Sequence, residues 1–133
     1  MRPLILCVDD EQDITELVAF HLTKTGCDVM TASNAHDALL MIAQRRPDLV
    51  LLDLMLPDID GFGVCEILRR DPNTAAIPIL ILTAWATNEA RNIGMDLGAL
   101  DYITKPFSPS EIKNRVSRLL RFRPESARTD TSG

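Results

Sequence analysis

Six side chains able to do chemistry stand at the downstream ends of short aliphatic runs. Asp9, Asp10 and Glu11 follow LILCV, Asp53 closes LVLLD, Thr83 closes ILILT, and Lys105 follows DYIT. Carboxylates gathered from two segments repel one another and raise each other's pKa unless a cation lies between them. A divalent metal is thereby implied. Oxygen ligands from side chains, backbone and water favour Mg2+, which keeps several waters for an incoming phosphate. With a lysine and a hydroxyl alongside, these are the parts of a phosphoryl-transfer site: a nucleophilic carboxylate, a metal to neutralise phosphoryl oxygens, a cation and a hydrogen-bond donor.

Taken singly, several of these residues have plainer readings. Asp9 or Asp10 would serve as a helix cap, and Thr83 as an ordinary strand residue. Asp53 lies inside an apolar strand, where a carboxylate needs a partner or a function. Glu11 suits either a site rim or a helix N-terminus. Asp58, Asp60 and Gly61 read as turn and cap residues. His21 falls in the apolar stripe of Ile14, Leu17, Val18 and Leu22, and His36 opens the second helix; each reads as a packed or boundary histidine. Cys7, Cys27 and Cys65 are an odd number without C-x-x-C spacing and read as small core residues.

The elements that must position the site come from the alternation of short apolar runs with helical periodicity. Runs at 4–8, 28–32, 49–53, 79–83 and 101–104 read as strands, three of them so continuously apolar that both faces must be covered, as in a parallel sheet. Helices are expected at 12–25, 34–45, 61–70, 87–97 and 109–122, each long enough to cross between parallel strands. Ser108, Pro109 and Glu111 form a start signal of the S-x-x-E type, and Gly26 and Gly98 close the first and fourth helices. The expected fold is α/β: a five-stranded doubly wound parallel sheet of order 2-1-3-4-5, flavodoxin-like (βα)5. In that order the second strand is an edge, and ligands bind at the carboxyl ends of the strands, where the order reverses.

Composition limits the alternatives. The chain has 133 residues, 46% apolar and 25% charged, which is one domain able to bury a core without disulfide or metal staples. No apolar run is long enough to span a bilayer, and the opening residues lack a secretory h-region, so a cytoplasmic protein without membrane contact is expected. The formal net charge is -5, with basic residues concentrated toward the C-terminal end. An acidic body argues against direct nucleic-acid binding by this domain, and Lys113, Arg115, Arg118, Arg121 and Arg123 read as a solvated helix face. Residues 123–133 have no apolar periodicity and read as a tail or linker stub after a domain at 3–122.

Four segments together resemble a response-regulator receiver domain (CheY-like): LILCVDDEQD, DLVLLDLMLPDIDGFGVC, ILILTAWA and GALDYITKPFSPSEI. The resemblance runs over residues 3 to 122. It implies that Asp53 is the phosphoacceptor and that Asp9 and Asp10 hold Mg2+, with Asp53 and the backbone carbonyl of Met55 completing the protein ligands. It also implies that Thr83 hydrogen-bonds the phosphoryl group, that Lys105 pairs with it, that Tyr102 is an aromatic switch whose ring moves inward, and that a cis peptide precedes Pro106. Met55 and Trp85 would flank the path of hydrolytic water and tune the lifetime of the phosphorylated state. The donor would be a sensor histidine kinase or phosphotransfer protein docking on Ile14 and Leu17 of the first helix.

From Thr83 to Phe122 the chain is closest to the OmpR/PhoB branch, whose active form dimerises through the fourth helix, fifth strand and fifth helix. Arg91, Asp101, Glu111 and Arg115 match charged positions of that face, while Leu100 stands where the branch often has an acid. The resemblance implies a phosphorylation-activated signalling switch with a phosphorylation-dependent homodimer, not an enzyme beyond its own phosphorylation and dephosphorylation. The rival is a Mg2+-dependent phosphatase or hydrolase using Asp53 as nucleophile. Such enzymes usually carry a general acid two residues further on, and here that residue is Met55. A flavin or nucleotide binder fits less well, because the loop after the first strand is acidic and not rich in glycine.

Overall fold

The computed structural model describes residues 2–121. Five strands, β1 (Leu4–Val8), β2 (Asp28–Ala32), β3 (Leu49–Leu52), β4 (Ile79–Thr83) and β5 (Asp101–Thr104), alternate with five helices. These are α1 (Gln12–Lys24), α2 (Ala35–Gln44), α3 (Gly61–Arg70), α4 (Asn88–Asp96) and α5 (Pro109–Arg121). The strands form one parallel sheet of order β2-β1-β3-β4-β5, so the chain reverses direction across the sheet beside β1.

Strand side chains alternate between two cores, as a period of two requires. Leu6, Val8, Val50, Leu52 and Ile81 pack on one face beneath Ala35, Ala38 and Ile42 of α2 and Val64, Cys65 and Leu68 of α3. Ile5, Cys7, Leu49, Leu51, Leu80 and Leu82 pack on the other with Val18 and Leu22 of α1 and Ile112, Val116 and Leu119 of α5. All three cysteines are buried as free thiols, and burial pushes those of Cys7 and Cys65 up to about 12.

Local signals act where expected, with small differences. Gly26 and Gly98 adopt φ of 99° and 106°, the left-handed conformation that ends α1 and α4. Asn34 and Thr87 are caps and stand just outside the helices, their side chains accepting from the amides of Asp37 and Ala90. Ser108 Oγ accepts from the Glu111 amide at 3.1 Å, whereas the Glu111 carboxylate lies 3.8 Å from Arg115. β3 stops at Leu52, one residue early, because Asp53 turns into the site. Its amide still continues the ladder to the Val8 carbonyl at 3.0 Å. His21 is half-buried against Phe20, while His36 is exposed and does not pack as the sequence suggested. The residues expected to form the C-terminal tail, with Phe122, lie outside the described part.

Candidate functional site

The carboxyl ends of β1, β3 and β5 bring Asp9, Asp10, Asp53 and Lys105 together, with Glu11 at the rim, while Thr83 closes β4, the strand between β3 and β5. Asp9 and Asp53 are 2% and 3% exposed, and carboxylate oxygens of Asp9, Asp10 and Asp53 lie within 4.8 Å of one another. The Lys105 ammonium enters from the β5 side, 2.6 Å from Asp9 Oδ2, 3.0 Å from Asp53 Oδ2 and 2.9 Å from Glu11 Oε1. Lys105 precedes a cis peptide to Pro106, as the resemblance implied.

Electrostatics follow from this packing. Burial holds the Asp9 carboxyl above the usual carboxylate range, and Asp53 adds to the shift; Lys105 and the Glu11 amide, which donates to Asp9 Oδ1 at 2.9 Å, oppose it. Burial alone would lower the Lys105 ammonium, but Asp9, Glu11 and Asp53 outweigh it and hold the group above its ordinary value. Asp9 Oδ2, although close to Lys105, is out of hydrogen-bond alignment and has no hydrogen-bond donor. A buried oxygen in that position, beside two more carboxylates, fits a hard divalent cation such as Mg2+.

Asp53 is oriented at both oxygens: Oδ1 accepts from the Met55 amide at 3.0 Å and Oδ2 from Lys105. The following loop closes through a bond from the Gly61 amide to the Leu54 carbonyl at 2.9 Å. At Gly61 a Cβ would lie 2.5 Å from the Asp53 carbonyl oxygen, so any side chain there would displace the backbone of the site. Asp60 caps α3 through the Gly63 amide, as its type suggested. Asp58 caps a different helix. Its two carboxylate oxygens accept from the Ala35 and His36 amides of α2 at 2.9 Å each, and those bonds lower its carboxyl to about 2.

On the other wall, Thr83 is fully buried and its Oγ1 accepts from the Trp85 amide at 3.3 Å. Tyr102, also buried, donates its hydroxyl to the Trp85 carbonyl, and the Arg91 guanidinium lies 5.7 Å from the centre of its ring. Burial raises the Tyr102 hydroxyl pKa, with Arg91 opposing and Asp53 reinforcing. The ring expected to move inward is thus already inside. Trp85 and Met55 are 42% and 59% exposed and line an open concavity of about 610 Å³ with Asp10, Leu56 and Pro57. The Trp85 indole also rests 5.5 Å from the Phe62 ring, a neighbour no sequence spacing announces.

The remaining candidates lie away from the pocket. Of the two proposed docking residues, Leu17 is 39% exposed, whereas Ile14 is half-buried against the core beneath α1 and α5. On the surface of α4, β5 and α5, Asp101 is held within its own chain by Arg115 at 2.8 Å and Arg118 at 3.2 Å, and Arg115 also faces Glu111. Leu100, beside Asp101, is exposed.

Comparisons with known proteins agree with this geometry. The family described as the response regulator receiver domain matches residues 5–117. The DNA-binding dual master transcriptional regulator RpaA of Synechocystis is 47% identical over 119 residues, covering 90% of this chain and 49% of that protein. The alkaline phosphatase synthesis transcriptional regulatory protein PhoP of Bacillus subtilis is 46% identical over 121 residues, covering 91% and 50%. The chain spans about half the length of these curated relatives. The structure of the chemotaxis response regulator CheY4 of Vibrio cholerae superposes with a TM-score of 0.85 at 28% identity, over 90% of this chain and 99% of that one. These matches lend no support to the phosphatase reading.

Proposed function

Because this chain belongs to the response regulator receiver domain family, we propose that Asp53 is its phosphoacceptor and that residues 3–122 form the receiver domain. The supporting observation is the buried Asp53 carboxylate, oriented at both oxygens and grouped with Asp9, Asp10 and Lys105. An Asp53 oxygen attacks the phosphorus of a phosphohistidine in line. The P–N bond breaks, its electrons pass to the imidazole, and the product is an acyl phosphate on Asp53. Lys105 shifts from carboxylate to phosphoryl oxygens. Thr83, whose Oγ1 accepts from Trp85, still has its proton to donate to the phosphoryl group.

Asp9, Asp10, Asp53 and the Met55 carbonyl would hold Mg2+, which when bound neutralises charge on the phosphoryl oxygens. Thr83 and Tyr102 meet at Trp85, one through its amide and the other through its carbonyl, so closure of Thr83 on the phosphate is transmitted to the β5 surface. The donor is a sensor histidine kinase or phosphotransfer protein in the cytoplasm, docking at Leu17 and Ile14. The response is a homodimer through Arg91, Asp101, Glu111 and Arg115. The domain turns over no external substrate and touches neither nucleic acid nor membrane; among the described residues no helix is long and apolar enough to cross one.

The test is labelling by acetyl phosphate with Mg2+. Asp53→Asn should abolish it, and so should chelation of wild type. Undiminished labelling of the variant would remove Asp53 from the reaction.

A further inference from the structure

We infer that Asp58 is a positioning residue for the metal site: by tying the loop after β3 to the start of α2, it sets the orientation of the Met55 carbonyl. The inference rests on the proposed role of that carbonyl as a Mg2+ ligand. The loop from Leu54 to Asp60 is fixed at its beginning by the bond from the Met55 amide to Asp53, and at its end by Gly61 and by Asp60 on α3. Between these anchors run Leu56 to Ile59, of which Leu56 and Pro57 line the concavity shared with Asp10, Met55 and Trp85. There Asp58 reaches 22 and 23 residues back along the chain to the His36 and Ala35 amides.

The anchor is rigid. Ala35 and Ala38 are fully buried against the sheet, and Asn34 satisfies the next free amide of the same turn, that of Asp37. A carboxylate on two helix amides makes charge-assisted bonds at the positive end of the helix, stronger than neutral ones. Met55, three residues before Asp58, has an exposed side chain, and the peptide that carries its carbonyl is steadied on the core side only by the half-buried Leu56. Without the Asp58 tie, Leu56 alone would restrain that peptide from the far side, and the Met55 carbonyl would sample a wider range of orientations. Mg2+ is intolerant of distorted coordination and would be bound more weakly. Groups that orient metal ligands from behind typically matter by 10- to 100-fold in affinity.

The experiment measures Mg2+ affinity of the full chain by calorimetry and by fluorescence of Trp85, its single tryptophan, which shares the concavity with Asp10 and Met55. Asp58→Ala should raise the Kd for Mg2+ about ten-fold. Asp58→Asn keeps one acceptor oxygen and should fall between Ala and wild type; it carries the test alone if the alanine variant does not fold. Thermal unfolding in metal-free buffer reports the loss of the cap separately. Lower stability with an unchanged Kd would make Asp58 a cap only and overturn the inference, leaving the proposed function intact. Wild type that binds no Mg2+ would overturn both.

Discussion

Replacing Lys105 by Met, which keeps most of the side-chain volume, would strip the ammonium that pairs with the buried Asp9 and Asp53. The side chains of Lys105, Asp9 and Asp53 are 8%, 1% and 4% exposed, so two of its three ion pairs are buried. The third partner, Glu11, is 60% exposed, and its share is at most about 1 kcal/mol. Removing one partner from a buried ion pair leaves an uncompensated charge and costs about 3–5 kcal/mol. For a domain of this size each kcal/mol moves Tm by about 4 °C, so the loss is about 12–20 °C in metal-free buffer near neutral pH. Asp9, already raised by burial and now without the lysine that opposed the shift, should rise further. A carboxyl raised in the folded state favours folding when protonated, and that advantage is lost as pH rises through its folded pKa. The Tm deficit should therefore shrink as pH falls through that range. Asp53→Asn in the same background should restore at least about 1 kcal/mol, since neighbouring charges are coupled. Mg2+ at a hundred times its Kd should add about 2.7 kcal/mol by mass action. The assay is thermal unfolding with and without Mg2+ for wild type, the single variant and the double variant. A Lys105→Met protein within 1 kcal/mol of wild type without metal would refute the claim that the lysine holds the carboxylate cluster together.

Four further outcomes are expected. Met55 and Trp85 offer no acceptor to orient hydrolytic water, so Met55→Asn with Trp85→Glu should speed decay of phosphorylated Asp53 about ten-fold or more; equal decay would make both residues packing. Leu17→Asp should slow transfer from the kinase while leaving acetyl phosphate labelling intact, with Ile14→Asp also costing stability because Ile14 is half-buried; equal loss of labelling with both donors would count against a docking role. Sedimentation should find the free protein monomeric and its beryllofluoride form dimeric, because Asp101 must exchange its internal Arg115 and Arg118 partners for those of a second chain; a monomer in both forms refutes it. The Asp58 carboxyl lies at about 2, below its unfolded value near 4, so its contribution is present above pH 4 and fades as pH falls toward 2; the Tm gap between wild type and Asp58→Asn should close over that interval, and a constant gap would contradict the assignment.

Periodicity and residue type were sufficient for the ten elements and the acidic cluster, because these depend on local rules, whereas the sheet order came from likeness to the flavodoxin-like arrangement. Continuous apolar runs demand a sheet covered on both faces, and in such a sheet every strand opens its carboxyl end on the same rim. Asp9, Asp10, Asp53, Thr83 and Lys105 were therefore legible as one group before any coordinates. The pairings within that group were not. That Lys105 bridges Asp9, Glu11 and Asp53 depends on how β5 lies over β1 and β3, and no spacing along the chain encodes a distance across a sheet. Asp58 looked like a turn residue because its partners lie more than twenty residues away, on a helix that sequence periodicity does not bring next to the loop after β3. In the same way, three of the charges expected to face a partner turned to one another on β5 and α5, where Arg115 meets Asp101 and Glu111, and Arg118 joins it on Asp101. Composition and order decide which groups are present and which rim they reach. Which carboxylate meets which cation is decided by helix placement, since an ion pair or a capping bond depends on distances of about 3 Å that only the packed chain defines.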